Sequence, residues 1–125
     1  MRTFKANISL TLVLITGAVL LVSGLTLLYV SMDSARISRD SYNYNLAIIN
    51  SKSCFEEALH QIKLDSSYTG TLKLTFDMGT CSVITSNDPM NPNYKILAIE
   101  SDVNGYTKQV TNTVDISTSP YSTIN

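Results

Sequence analysis

Residues 8–30 (ISLTLVLITGAVLLVSGLTLLYV) form a run of 23 positions, 16 of them apolar, within a stretch of 27 uncharged residues between Lys5 and Asp33. A helix rises about 1.5 Å per residue, so the run spans roughly 35 Å and is long enough to cross a bilayer. Its flanks differ in charge. Arg2 and Lys5 precede it in a short basic leader, residues 1–7, whereas Asp33, Arg36, Arg39 and Asp40 cancel beyond it. The positive-inside rule therefore predicts a cytoplasmic N-terminus, with everything after residue 30 outside. A secretory signal peptide is the alternative, but its apolar region runs about 7 to 15 residues and ends at a small-residue cleavage site, which this run does not match.

Within the apolar run Ser9, Thr16 and Ser23 recur every seventh residue, with Gly17 and Gly24 beside two of them. Such a stripe lets membrane helices pack closely. The same residues are also tolerated in a helix that packs against nothing, and no GxxxG repeat is present, so both readings stand.

Beyond the run the apolar period changes. Ile48, Ser51, Phe55, Leu59 and Ile62 follow helical spacing, while Lys52, Glu56, His60 and Lys63 fall elsewhere on the wheel. No Gly or Pro interrupts the chain from residue 25 to residue 67, so the spacing predicts that the membrane helix continues through residues 31–65, with an amphipathic half at 46–64. Residues 33–45 are polar around most of the circumference, which suits either a solvated linker or a surface completed by neighbouring subunits.

After Gly70 the pattern becomes that of strands. Leu72, Leu74 and Phe76 alternate with polar residues up to Met78-Gly79, and a second strand is predicted at about 80–85. Residues 86–93 hold two prolines and three asparagines and read as a loop. Strands at 94–101 and 106–116 follow, joined through Asn104-Gly105, a pair suited to a type I′ hairpin. Residues 117–125 read as a flexible tail. The fold predicted for residues 71–116 is an antiparallel sheet of about four strands, its apolar face covered by the preceding helix in an α+β arrangement. The predicted helix–sheet core is Ile48, Phe55, Leu59 and Ile62 against Leu72, Leu74 and Phe76.

Composition changes this picture mainly for the outer part. The whole chain has 9 basic and 10 acidic residues, but residues 31–125 have 7 and 10, a net charge of −3. That balance gives no ground for nucleic-acid binding. A domain of this size buries only about 60 to 65% of its unfolded surface, so a crosslink or an assembly partner is expected. Cys54 and Cys81 both fall on the non-cytoplasmic side, where disulfides persist, and are predicted to pair; two buried free thiols are the alternative.

Chemistry for catalysis is scarce. His60 sits among Glu56, Glu57 and Lys63 on a helix and reads as part of a solvated face, and no spacing repeats a metal site or a catalytic triad. Asp102-x-Asn104-Gly105 lacks the later oxygen ligands of a calcium loop. Asn7-Ile8-Ser9 matches a glycosylation sequon but lies at the membrane boundary. The expectation is a protein that is not an enzyme and uses no cofactor or metal.

The order of elements, a basic leader, a membrane helix running into an amphipathic helix, then an extracytoplasmic sheet with a disulfide, resembles the type IV pilins and the pseudopilins of type II secretion. The chain is most similar to the PilX-type minor pilins, through Lys5-Ala6-Asn7-Ile8-Ser9-Leu10-Thr11-Leu12-Val13-Leu14-Ile15, through Ala47 and Cys54-Phe55-Glu56-Glu57-Ala58-Leu59, and through Gly79-Thr80-Cys81. The resemblance implies cleavage by prepilin peptidase between Ala6 and Asn7, although the family usually has glycine where Ala6 stands. It also places Thr11 where major subunits carry a glutamate that pairs with a neighbour's amino terminus, as in minor pilins and tip pseudopilins that lack this acid.

The function implied is that of a minor pilin anchored in the cytoplasmic membrane, single-pass with its N-terminus inside. Its helix would join a filament with other pilin subunits and the assembly machinery, aiding initiation or surface adhesion. The competing expectation is a membrane-anchored binding or adaptor module that never enters a filament.

Overall fold

The computed structural model describes residues 2–124; Met1 and Asn125, the outer ends of the predicted leader and tail, lie outside it. One helix, α1, runs unbroken over Arg2–Leu64 and is followed by strands β1 (Gly70–Phe76), β2 (Gly79–Asn87), β3 (Tyr94–Val103), β4 (Tyr106–Asp115) and β5 (Ser122–Ile124). The chain divides into two compact units, Met1–Arg39 and Asp40–Asn125. The first is helix alone. The second is an α+β domain in which the rest of α1 covers a five-stranded antiparallel meander of order β1-β2-β3-β4-β5.

Strand alternation decides which side chains meet the helix. Leu72, Val83, Ile99 and Val110 form one cross-strand row, Leu74, Cys81, Ser101 and Lys108 the next. Thr71, Ile84, Ala98 and Thr111 lie on the opposite, outer face, where Ile84 and Ala98 are exposed. Two-residue turns hold the register at one end. Phe76 pairs with Gly79 across Asp77-Met78, and Val103 pairs with Tyr106 across Asn104-Gly105, whose φ values of 52° and 84° suit a type I′ turn. Gly79 has φ 109°, and a Cβ there would lie 2.8 Å from Val103 Cγ2 and closer still to the Asp102 carbonyl oxygen, so no other residue fits.

The side of α1 that meets the sheet carries small residues. Ala47, Cys54 and Ala58 are fully buried there, with Ile62 the one large aliphatic among them, and Cys54, Ala58 and Ile62 pack on Cys81, Val83, Leu97, Ile99 and Val114. Of the predicted core set, Ile62 is fully buried, Phe55, Leu59, Leu74 and Phe76 flank the cluster partly buried, and Ile48 and Leu72 are half-buried. The face is thus turned toward the small residues, because an alanine or cysteine lets the helix backbone approach where a phenylalanine would hold it off. Cys54 and Cys81 are joined in a disulfide at the centre of this contact, with Cα atoms 6.3 Å apart.

The end of the chain departs from the sequence reading. Residues 117–125 were expected to fray, yet Ser122–Ile124 pairs with Thr113–Asp115 as β5. The Asp115 carboxylate accepts hydrogen bonds from Ser117 N (2.8 Å) and Ser117 Oγ (2.6 Å), which starts the turn back, and Tyr121 packs on the core.

Two outcomes test this packing. Cys54→Ser with Cys81→Ser should lower unfolding stability by about 2 to 5 kcal/mol in denaturant titration, the usual cost of losing a disulfide from a small domain. Ala58→Leu should cost about 1 to 3 kcal/mol by the same assay, since the added methylenes have no space between helix and sheet. A neutral result for the leucine would place Ala58 outside the close contact.

Candidate functional site

In the N-terminal unit the apolar side chains from Ile8 to Val30 all face outward, and α1 is long and apolar enough to cross a membrane there, with none of its most apolar window buried. A soluble core helix would bury such a window. Four hydroxyls within the run turn back onto their own helix: Thr11 Oγ1 donates to Asn7 O (2.8 Å), Thr16 Oγ1 to Leu12 O and Val13 O (both 3.0 Å), Ser23 Oγ to Val19 O (2.7 Å) and Thr26 Oγ1 to Val22 O (2.8 Å). These donors need neither water nor a partner chain, which is the condition for placing them in hydrocarbon.

Gly17 and Gly24 have nothing within 4 Å of where a Cβ would stand, so no packing within the chain requires glycine at either place. Ser9 is exposed in the same run, as are Thr16 and Ser23. Asn7, the residue after the predicted cleavage point, lies within α1; the side chain of Ala6 falls outside the described residues.

The α+β unit has a polar seam that the sequence reading missed. Asn50 Nδ2 donates to the Met78 carbonyl oxygen in the β1–β2 turn (3.1 Å), and Asn104 Nδ2 in the β3–β4 turn donates to Asn43 Oδ1 (3.3 Å). Lys108 Nζ lies 3.4 Å from Tyr44 Oη and 5.7 Å from the centre of its ring. The signal was available in the spacing: Asn43, Ala47, Asn50, Cys54 and Ala58 fall at intervals of three or four, so both asparagines share the stripe of small buried residues. On the far side of this helix Tyr42 and Ile49 are each 56% exposed.

At the other end of the sheet two loops are fixed by short polar side chains. Asp65 Oδ1 accepts from Ser67 N (2.9 Å) and Ser67 Oγ (2.6 Å), Asp88 Oδ1 from Met90 N (2.7 Å), and Asn91 Oδ1 from Asn93 N (3.0 Å). The hydroxyl and then the backbone N–H of Ser67 hold the Asp65 carboxyl below the usual aspartate range; slight burial opposes them and the charge of Lys95 adds to them. Among the described residues no group of three or more His, Cys, Asp or Glu side chains could hold a metal ion. His60 is exposed on α1.

The class these features define is a disulfide-bonded α+β domain that follows a single helix apolar enough to span a membrane. No protein-family model, curated protein or solved structure matches the chain.

The Asp65 turn makes a pH prediction. A carboxyl that titrates lower in the folded chain than in the unfolded chain contributes stability fully present above the ordinary Asp value near 3.9 and lost as pH falls through the depressed folded value. Asp65→Asn keeps an acceptor but cannot titrate, so the stability lost on acidification below about pH 4 should shrink relative to wild type. Identical acid limbs in the two unfolding profiles would show that the turn does not depend on the carboxylate.

Proposed function

We propose that the chain is a minor pilin: a subunit held in the cytoplasmic membrane by the first part of α1, N-terminus inside, which later passes that helix into the helical bundle of a type IV pilus or related filament. Its sheet domain is then displayed outside, where it aids assembly initiation or adhesion. The observation that carries this reading is the helix itself. One unbroken element supplies an outward apolar surface with self-satisfied hydroxyls and then the helix that covers an antiparallel sheet.

A bare membrane anchor has no need of several of these features. It needs hydrophobic length, and a flexible linker would serve between anchor and domain. Here the helix persists through residues 31–45, and Tyr42 and Ile49 remain exposed opposite the sheet, where neighbouring helices would cover them. Gly17 and Gly24 leave open notches for such neighbours. Thr11 takes the place of the glutamate that major subunits use to pair with a neighbour. Its hydroxyl is satisfied by Asn7 O, so a subunit with no neighbour on one side carries no unpaired charge in hydrocarbon. Processing between Ala6 and Asn7 belongs to the same reading, and the N-terminal residue of the mature protein reports on it.

The packing test uses Gly17→Leu combined with Gly24→Leu. Both changes raise hydrophobicity, so the variant should insert with its N-terminus inside as the wild type does. It should nevertheless be missing from fibres released by mild shearing, in which immunoblotting detects the wild type. Recovery of the double variant in sheared fibres would remove the packing argument, and absence of the wild type from them would leave a membrane-anchored adaptor.

A further inference from the structure

Lys95, the second residue of β3, keeps the alternation that turns Leu97, Ile99 and Val103 toward the helix, and it is only 2% exposed. Its ammonium donates to the Tyr68 carbonyl oxygen (3.2 Å) and to Asn87 Oδ1, both neutral. Three protons are carried on that nitrogen, and among the described residues Lys95 has neither a third acceptor nor a carboxylate in contact. Asp65, whose charge it feels, has turned Oδ1 to Ser67. A buried ammonium held only by neutral oxygens is costly and attracts a counter-charge.

The same lysine lines a pocket of about 410 Å³ between the 65–69 and 88–93 loops, with Ser66, Ser67, Asp88, Pro89, Pro92 and Ile116 among its walls. The loops are already fixed by the turns at Asp65, Asp88 and Asn91, so the pocket is largely preformed. Asp88 commits Oδ1 to Met90 N and keeps its second oxygen as an acceptor. A simple anion would suit Lys95 but leave the acceptor of Asp88 and the hydroxyls of the serines unmatched. A neutral sugar would satisfy Asp88 and the serines but leave the ammonium unmatched. Pro89, Pro92 and Ile116 add apolar surface for the C–H face of a ring.

We propose that this pocket binds an acidic saccharide, a uronate whose carboxylate meets Lys95 and whose hydroxyls meet Ser66, Ser67 and Asp88. It gives the adhesive part of the filament reading a ligand class and rests on that reading only for its setting. Binding is read on the isolated chain and assembly on sheared fibres, so each fails separately.

The test is calorimetric titration of the full chain in detergent micelles with trigalacturonate, with maltotriose and inorganic phosphate as comparisons. Trigalacturonate should saturate one site. Lys95→Met, which keeps the stem and removes the charge, should weaken binding roughly 10- to 100-fold, the loss expected for a charge-assisted hydrogen bond. Circular dichroism reports whether that variant folds; if it does not, Ser66→Ala on the more accessible rim takes its place and should weaken binding as well. Absence of binding by the wild type would overturn the proposal. So would unchanged binding by a folded Lys95→Met, which would reduce the lysine to a clamp between two loops, or binding of maltotriose or phosphate as tight as that of trigalacturonate.

Discussion

Ala47, Cys54 and Ala58 present almost no side chain, so the backbone of α1 comes close to the sheet, and the close approach is what lets a covalent bond form between the sheet-covering part of the helix and Cys81 on β2. Much of the rest of the domain depends on that contact. With the middle pinned, Asn50 reaches the β1–β2 turn and Asn43 reaches the β3–β4 turn. Larger residues at positions 47 or 58 would lift the helix and break these hydrogen bonds, leaving buried amides without partners. The flanking Phe55 and Leu59 then close the side of the contact without separating the layers. A domain this small gains less from its core than a large one, and tying the unfolded chain through a loop of this length adds roughly 3 to 4 kcal/mol in the chain-entropy account.

A single helix follows two different sequence rules, one along its apolar first part and one where it covers the sheet. From residue 8 to residue 30 apolar side chains surround it, and the hydroxyls of Thr11, Thr16, Ser23 and Thr26 bond to carbonyls one turn back. In water such bonds are an indifferent choice, because solvent competes for the same donors. In hydrocarbon they are the only acceptors present, so Ser and Thr can be carried there without a partner helix. From residue 43 onward polarity is sorted by face, and the buried stripe contains asparagines and a serine whose partners lie on the sheet turns or the helix itself. Uninterrupted helix between these regions follows from the absence of Gly and Pro.

What could be read in advance followed from strong local rules. An uncharged apolar run of that length reads as a helix long and apolar enough to cross a membrane, strict alternation over Leu72, Leu74 and Phe76 fixes a strand, and Asn104-Gly105 specifies a tight turn by conformational preference alone. The orientation of the helix was harder to see. Bulky Phe55 and Leu59 dominate any hydrophobicity count, whereas the face that makes the closest contact is set by how little space Ala47, Cys54 and Ala58 occupy, a property hydrophobicity does not measure. Lys95 was hidden for a related reason: its charge suggests the outer surface, yet it keeps step with Leu97, Ile99 and Val103 on the buried face. The last strand was lost because Ser, Thr and Pro in residues 117–123 resemble a tail. Its formation depends on Tyr121 and Ile116 reaching a core that exists only after the other strands are assembled.

The positions of buried polar groups separate two kinds of role. Asn43 and Asn50 join the helix to turns, and their hydrogen bonds are made by neutral groups that lose far less than an ion does when taken from water. Lys95 differs because its burial takes a full charge out of solvent, and two neutral acceptors return only part of the lost hydration. An amide or a hydroxyl could have joined Tyr68 O to Asn87 at lower cost, so holding the two loops together does not by itself account for a lysine. Its place beside a wall of hydroxyls, a carboxylate and prolines, on loops already fixed by their own turns, puts the unmet charge where a ligand rather than the protein can supply the missing partner.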